Sequence, residues 1–326
     1  MLKAEVLFMG NIDKKRVLII GPKFFNYEQE IVSELNVQGY LVDFIDDRLN
    51  LNLVLSGLLR LNLFANKIRD ISSKKKILLL GDFYDVFVCI SPEGSSEKFL
   101  EQCSSRSKYS VLYMWDSFKN KPLGQSVINI FDKIKSFDDN DVKLYGLEFL
   151  PLYYPNSYQN SEAARNKNIL MLCSLHSNRL LILQELMRLD IKIEAQIYVK
   201  NILILLYFML KGLVNLKMTK YLVFRSKSHR ELANLYNSCG AVLDIAHPDQ
   251  VGLTNRTFEV LATGTKLITS NVNIKSYPFY SEDQVFIYLP GNCNFGELES
   301  FLTQQRYQNI DVSEYSIQNF VSKLIK

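Results

Sequence analysis

The most informative stretch of the chain runs from Leu243 to Asn271 and reads LDIAHPDQVGLTNRTFEVLATGTKLITSN. Its blocks of apolar and polar residues predict a strand, a loop, a helix, a turn and a second strand. On the predicted helix, Arg256, Glu259 and Thr263 share one face, whereas the apolar residues between them can pack toward a sheet. A cation and a carboxylate therefore lie side by side at the start of a helix.

The chemistry of these two side chains suits a nucleotide. A carboxylate such as Glu259 can accept hydrogen bonds from two ribose hydroxyls. Arg256 and the backbone N–H groups at the start of the helix suit a diphosphate. Each residue taken singly also has a structural interpretation, with Glu259 on the helix surface and Gly264 ending the helix.

The alternation of strands and helices extends outward from this stretch along the whole chain. The predicted strands are Arg16–Gly21, Tyr40–Ile45, Lys76–Leu80, Val86–Ile90 and Tyr109–Trp115, then Ile169–Cys173, Ile193–Val199, Tyr221–Phe224, Ala241–Ile245 and Lys266–Thr269. The predicted helices are Tyr27–Leu35, Ser96–Cys103, Leu180–Arg188, one that begins at Ile202, His229–Asn237 and Asn255–Thr263. This pattern predicts the α/β class with parallel, doubly wound sheets.

A polar segment from Pro155 to Asn168, which nearly lacks large apolar residues, separates two halves of similar size. The chain has 326 residues, and at about 100–200 residues per domain this length predicts two domains. We expect a first domain over residues 1–157 and a second over residues 166–326, with a C-terminal helix able to pack back on the first. Two such domains should face a cleft, with ligands at the carboxyl ends of the strands.

Composition and missing motifs exclude several classes of function. Lys and Arg number 38 against 34 Asp and Glu, a small excess that argues against a nucleic-acid binder. The five cysteines are scattered with no Cys-x-x-Cys pair, which favours a reducing cytoplasm and argues against zinc. The Gly-x-Gly-x-x-Gly fingerprint and the P-loop are both missing. No apolar run is long enough to span a bilayer, and we expect no secretory signal.

At the Leu243–Asn271 stretch, the sequence resembles the sugar-nucleotide-binding half of GT-B glycosyltransferases. It is most similar to the family 4-like group and its sporulation-protein-like bacterial relatives. The resemblance covers roughly residues 168–288 and includes the preceding helix and strand, RSKSHRELANLYNSCGAVLD, from Arg225 to Asp244. It implies two Rossmann-like domains and a nucleotide-diphosphate sugar as the donor substrate, with no permanently bound cofactor.

The resemblance also implies roles for individual residues. Glu259 would hold the donor ribose, with Gly252, Leu253 and Thr254 near the diphosphate. The family pattern has a second glutamate eight positions before Glu259, and this chain has Val251 there.

A second candidate phosphate site joins the first strand of the second half to its first helix. Ser174, His176 and Arg179 in this segment could contact an anionic leaving group. The alternative is that Ser177 or Asn178 simply caps the helix.

Two basic residues, Arg225 and Lys227, directly follow a predicted strand and could neutralise the departing diphosphate. A solvated basic turn would give the same pattern.

In the first half, Asp116 lies just past a buried strand. A carboxylate at that point could act as general base toward an acceptor hydroxyl. The alternative is an Asp that caps the following turn, with Trp115 packed beneath it.

A metal site is one interpretation of two nearby aspartates in the first half. Asp139 and Asp141 flank one residue and could chelate a diphosphate-bound cation. We favour a polar turn without a metal, because the other motifs resemble an architecture that generally uses basic residues and helix dipoles. The three histidines are also too far apart in sequence to suggest a metal site.

A membrane surface is a candidate partner. The segment Ile202–Lys220 combines an apolar body with Lys211, Lys217 and Lys220, which suits an anionic membrane surface. A buried helix between the domains is the alternative. Leu51–Arg69 is a second candidate for membrane contact.

Three further segments, Tyr109–Phe118, Phe137–Asp141 and Phe149–Tyr154, resemble bacterial O-antigen and capsule assembly proteins. Together these observations predict a hexosyltransferase-type enzyme that adds a sugar to a glycan or lipid-linked acceptor in surface polysaccharide synthesis. We expect it in the cytoplasm or at the inner face of the plasma membrane. A GT-B-fold sugar-nucleotide epimerase and a non-catalytic assembly subunit are the alternatives.

Overall fold

The computed structural model describes residues 14–49, 65–161, 165–166, 168–175, 177–187, 192–214, 216–246, 251–304 and 310–326. The chain divides into two units, Met1–Leu150 with Val321–Lys326, and Pro151–Phe320. Each unit contains one six-stranded sheet whose neighbouring strands pair in parallel. The predicted α/β class with two parallel sheets is therefore confirmed.

The first unit alternates strands with helices. Its strands are β1 (Arg16–Gly21), β2 (Leu41–Asp46), β3 (Val86–Ile90), β4 (Ser110–Met114), β5 (Lys133–Ser136) and β6 (Glu148–Phe149). Its helices are α1 (Tyr27–Val37), α2 (Ala65–Ile77), α3 (Glu97–Ser105), α4 (Pro122–Ser126) and α5 (Asp139–Tyr145). The strand order is β2-β1-β3-β4-β5-β6. The chain adds β2 on one side of β1 and then adds β3 to β6 on the other side. We call the position between β1 and β3, where the order of the strands changes direction, the reversal of the sheet.

The central strands of this sheet are apolar along their whole length. Every residue of β3 and β4 is buried, because helices cover both faces of a parallel sheet. The strands also approach closely at the end of β1. A Cβ on Gly21 would lie 3.0 Å from Cβ of Ile90, so a larger residue would push β1 and β3 apart.

The predicted strand Lys76–Leu80 is wrong. Lys76 and Ile77 end helix α2, and the two leucines that follow are exposed at 86% and 66%. Nζ of Lys76 is buried 3.0 Å from Oδ1 of Asp47, which anchors the end of the helix to the chain after β2. This long-range contact outweighs the local apolar run that favoured a strand.

The second unit repeats the architecture. Its strands are β7 (Ile169–Ser174), β8 (Ile193–Tyr198), β9 (Leu222–Val223), β10 (Ala241–Asp244), β11 (Lys266–Thr269) and β12 (Val285–Ile287). Its helices are α6 (Ser177–Leu186), α7 (Ile202–Leu210), α8 (His229–Ser238), α9 (Asn255–Ala262), α10 (Phe295–Thr303) and the start of α11 (Ile317–Leu324). The strand order is β12-β11-β10-β7-β8-β9, and the reversal lies between β7 and β10. In open α/β sheets, ligands bind beside the carboxyl ends of the strands at such a reversal.

Candidate functional site

Asp244 is the central carboxylate of the candidate site in the second unit. It ends β10 at the reversal of the sheet, and its side chain is buried. Its Oδ2 atom accepts hydrogen bonds from the hydroxyls of Thr254, at 2.6 Å, and Thr257, at 3.0 Å. Since Thr254 also caps α9, Asp244 attaches the start of α9 to the end of β10. Sequence reasoning missed this residue, because a single Asp at a strand end has no distinctive pattern.

Arg256 lies beside this carboxylate, and Arg179 is a second cation at the same edge of the sheet. Nη1 of Arg256 lies 3.7 Å from Oδ1 of Asp244, and the Arg256 side chain is 27% exposed. Arg179, near the start of α6, is partly buried and within electrostatic range of both residues. Burial lowers the pKa of Arg179, and repulsion from Arg256 lowers it further. Cys173 and Asp244 raise the pKa and offset part of this shift. The formal charges of Asp244 and Glu259 balance those of the two arginines, and the guanidinium groups can still donate charge-assisted hydrogen bonds to an anionic ligand.

Arg256 keeps its charge in this environment. Burial opposes the charge, but Tyr236, Asp244 and Glu259 raise its pKa above the ordinary value. Its Nε atom is buried and has no hydrogen-bond partner among the described residues. The hydroxyl of Tyr236 is likewise buried without a hydrogen bond of ordinary geometry, and the Tyr236 side chain interacts with the same guanidinium.

The loop before α9 is held in place by a residue of a neighbouring loop. Nδ2 of Asn271 donates to the carbonyl oxygens of Val251 and Gly252, at 3.1 Å each. The side chain of Leu253 is buried, and that of Thr254 contacts Asp244. These contacts position the backbone of the predicted diphosphate segment, whose role toward a phosphate stays a prediction.

Glu259 is buried with an exposure of 1%, so the interpretation of it as a surface residue is wrong. Its Oε1 atom lies 3.9 Å from Nδ1 of His229, and that nitrogen is 3.0 Å from the hydroxyl of Tyr158. Glu259 also contributes to the raised pKa of Arg256, which places the two residues in one electrostatic cluster. Its role toward ribose stays a prediction.

The other predicted anion-binding residues differ in their surroundings. Ser174 is exposed at the end of β7, three residues before the start of α6. The side chain of Arg225 is 81% exposed and pairs with Glu231 at 2.6 Å, whereas Lys227 is partly buried. His176 and His247 lie outside the described residues.

In the first unit, Asp116 follows β4 and holds the next turn. Its Oδ1 atom accepts hydrogen bonds from N of Ser117 and Nδ2 of Asn120, at 2.9 Å each. This is the geometry of the capping alternative, and the role of Asp116 as a base stays a prediction.

Three aspartates at the start of α5 bind other groups of the first unit. Asp138 caps the helix, Asp139 pairs with Lys143, and Asp141 accepts a hydrogen bond of 2.7 Å from N of Phe118. Within the part of the chain that the structure describes, no group of three His, Cys, Asp or Glu side chains could hold a metal ion.

Helix α7 is apolar and yet exposed. Leu205 is its one buried residue, whereas Leu203 is 61% exposed and Leu210 is 89% exposed. Helix α7 is therefore not a core helix of its own unit, and the alternative of burial between the domains stays a prediction. Residues 51–64 of the other candidate membrane segment, Leu51–Arg69, lie outside the described residues. No helix in the described ranges has both the length and the apolar character needed to cross a membrane.

No protein-family model and no curated protein matches this chain. Solved structures do match over nearly its whole length. Sucrose-phosphate synthase from Thermosynechococcus elongatus is 10% identical with a TM-score of 0.60, over 96% of this chain and 95% of that chain. HepE from Anabaena, solved with UDP-glucose, is 11% identical with a TM-score of 0.57, over 96% of both chains. UDP-N-acetylglucosamine 2-epimerase from Rickettsia bellii is 11% identical with a TM-score of 0.52, over 95% of this chain and 94% of that chain.

At these identities the similarity is one of fold. The chain has the GT-B fold, with two Rossmann-like α/β units, as the sequence resemblance implies.

Proposed function

We propose that this protein is a glycosyltransferase of the hexosyltransferase type. It transfers a sugar from a nucleotide-diphosphate donor to a glycan or lipid-linked acceptor in bacterial surface polysaccharide synthesis. The observation that carries this proposal is the position of two arginines at the reversal of the second sheet: Nη1 of Arg256 lies 3.7 Å from Oδ1 of Asp244, and Arg179 follows β7, the strand that pairs with β10. The GT-B fold, shared with HepE in its complex with UDP-glucose, supports it.

The proposed chemistry follows from where charge develops. When the bond between the sugar and the diphosphate breaks, negative charge grows on the departing diphosphate. Arg179 and Arg256 are partly buried, and charge-assisted hydrogen bonds in such a place are stronger than in water. Glu259 holds the ribose hydroxyls, and Asp116 of the first unit takes the proton of the acceptor hydroxyl that attacks the sugar.

A sugar-nucleotide epimerase is the second candidate, because the Rickettsia bellii epimerase shares the fold. A non-catalytic assembly subunit is the third. Incubation with sugar nucleotides separates the three. A transferase releases nucleotide only when an acceptor is present, an epimerase forms an epimer without one, and an assembly subunit binds without turnover.

The first test is a thermal-shift panel of nucleotide sugars, followed by Glu259→Gln. A donor at a hundred times its Kd stabilises a protein by about 2.7 kcal/mol, which raises the melting temperature by about 5–10 °C. Because glutamine keeps the volume of the buried side chain, we expect Glu259→Gln to fold. Its donor affinity should fall by roughly tenfold to a hundredfold, since a charge-assisted hydrogen bond contributes about 1.5–3 kcal/mol.

Two controls isolate the ribose contact. A 2′,3′-dideoxy donor should bind the wild type and Glu259→Gln about equally, because the hydroxyl partners are missing. Glu299→Gln changes an exposed carboxylate of the same unit and should bind the normal donor as the wild type does. If Glu259→Gln also binds the normal donor with wild-type affinity, Glu259 has no part in ribose binding.

We propose an anionic membrane surface as a partner, because a lipid-linked acceptor is held in a membrane. Between Val199 and Arg225 the sequence contains four lysines and one arginine and no acidic residue. The same segment contains helix α7, whose exposed apolar side chains could enter the interface of the membrane.

We expect binding to phosphatidylserine-containing vesicles that weakens with added salt. Changing Lys211, Lys217 and Lys220 to Gln should weaken it by roughly a hundredfold at low salt, since each lysine near the surface contributes about 1 kcal/mol. A variant with Lys14, Lys15 and Lys98 changed to Gln removes equal charge from exposed positions outside both candidate membrane segments and should bind like the wild type. Vesicle co-sedimentation measures both. Failure of the wild type to bind at low salt would contradict the membrane proposal.

A further inference from the structure

An exposed group of aromatic side chains lies at the carboxyl edge of the first sheet. We call it the aromatic platform; it consists of Phe24, Phe25, Tyr27 and Trp115. The first three residues follow β1 and Trp115 follows β4. Phe24 is 53% exposed and Phe25 is 45% exposed. The ring centroid of Phe24 lies 4.8 Å from that of Phe25, 6.4 Å from Tyr27 and 6.2 Å from Trp115.

The backbone that presents the platform is strained. Phe25 has a φ of 48°, Asn26 a φ of 67° and Ser91 a φ of 39°. Bulky residues rarely adopt this left-handed region, and such strain persists mainly at functional sites. Phe25 and Asn26 follow β1, and Ser91 follows β3, so the strained residues flank the reversal of the first sheet. This is the position where open α/β sheets bind ligands.

Hydrogen bonds hold the platform in this conformation. N of Phe24 donates to Oε2 of the buried Glu28 at 3.0 Å. N of Trp115 donates to Oγ of Ser91 at 2.9 Å, which joins the chain after β4 to the strained residue after β3. These bonds fix the backbone that carries the rings before any ligand arrives, which lowers the entropy cost of binding.

The polar groups around the rings define the ligand. Asp116 is adjacent to Trp115 in the chain, and Oδ1 of Asp46 accepts a hydrogen bond of 3.2 Å from N of Lys23, the residue before Phe24. Lys23 precedes Phe24 in the chain and Arg48 pairs with Asp46 at 3.4 Å, so the charges of these four side chains balance and favour a neutral ligand. The two carboxylates remain hydrogen-bond acceptors. They suit hydroxyl groups, which donate hydrogen bonds to them.

We infer that the aromatic platform binds a neutral hexopyranose ring of the acceptor, an inference that rests on the proposed function. One face of a pyranose carries C–H groups, whose partial positive charge is attracted to the negative face of an aromatic ring. The hydroxyls at the edge of the sugar donate to the carboxylates. Apolar surface with a few placed polar groups is the usual composition of a small-molecule site.

Trp115 is the sole tryptophan of the chain, so intrinsic fluorescence reports directly on the platform. The probes are methyl glycosides of glucose, galactose, mannose and N-acetylglucosamine, titrated into the full-length protein. We expect a saturable change with at least one of them. Phe24→Ala should weaken that response roughly three- to tenfold, because contacts between aromatic groups contribute about 0.5–1.5 kcal/mol.

Phe83→Ala is the matched control. Phe83 is also a phenylalanine of the first unit and is 45% exposed, but it precedes β3 and so lies at the opposite edge of the sheet. It should leave the glycoside response unchanged. No saturable response to any of the four glycosides, or equal weakening by Phe83→Ala and Phe24→Ala, overturns the inference. A response to phosphatidylcholine vesicles in place of the glycosides also overturns it.

Donor binding, measured in the same samples by thermal shift, separates this inference from the proposed function. Donor stabilisation without a glycoside response overturns the sugar platform and leaves the proposed function standing. A glycoside response without stabilisation by any nucleotide sugar supports the platform and counts against the glycosyltransferase.

Discussion

Methionine in place of Arg256 is expected to weaken donor binding by about tenfold to a hundredfold. Arg256 lies at the start of α9, keeps its charge, and has a buried Nε atom without a hydrogen-bond partner in the described part of the chain. Loss of a charge-assisted hydrogen bond costs about 1.5–3 kcal/mol. We expect a loss of the same size for Arg179→Met, because the two guanidinium groups lie within electrostatic range of each other.

The measurement is titration calorimetry with the nucleotide sugar that stabilises the wild type in the panel. Its nucleoside, which lacks the diphosphate, should bind the wild type and both variants alike. Arg230→Met is the matched control, since Arg230 is an exposed arginine of the second unit with no predicted contact to the donor, and it should change donor affinity less than about twofold. Wild-type donor affinity in both Arg179→Met and Arg256→Met would remove the observation on which the proposed function rests.

The fold of the first unit should depend strongly on Asp47. Its side chain is fully buried, and Oδ1 lies 3.0 Å from Nζ of Lys76. Oδ2 accepts backbone hydrogen bonds from Glu93 at 2.6 Å and Gly94 at 2.9 Å, and Ser95 donates its hydroxyl to Oδ1. Asp47→Ala leaves the buried Lys76 ammonium without its carboxylate, with only the backbone carbonyl oxygen of residue 47 at 3.3 Å, so we expect a loss of about 3–5 kcal/mol in the free energy of unfolding.

Urea unfolding followed by circular dichroism measures this loss. The double variant Asp47→Ala with Lys76→Met should recover part of it, because no unpaired charge is then buried. Asp139→Ala breaks an ion pair with Lys143 on the surface of α5 and should cost less than about 1 kcal/mol. Equal losses in the free energy of unfolding for Asp47→Ala and Asp139→Ala would show that the buried pair stabilises the fold no more than a surface pair does.

Some strands carry no local signal and escape sequence prediction. Strand β5 has the sequence KIKS, and Lys135 within it is buried. Nζ of Lys135 donates to the carbonyl oxygen of Lys323 at 2.6 Å and pairs with Glu148 at 2.9 Å. A charged residue can lie inside this strand because distant parts of the chain satisfy it, and no pattern within four residues indicates such partners.

The sequence alone predicts which residues share a helix face and which short segments form buried strands, because both depend on residues that are close together in the chain. Residues three apart on a helix share a face, so the sequence alone places Arg256 and Glu259 side by side. Continuous apolar runs such as Val86–Ile90 indicate buried parallel strands for the same local reason.

The tertiary structure alone brings together residues that are distant in the chain. Arg179 follows β7 and Asp244 ends β10, and they lie at the same edge of the sheet because those two strands are parallel neighbours. The burial of Glu259 beside His229 and the meeting of Phe24 with Trp115 arise in the same way. Strand order depends on how helices pack over the whole sheet, and local hydrophobic periodicity carries no information about that packing.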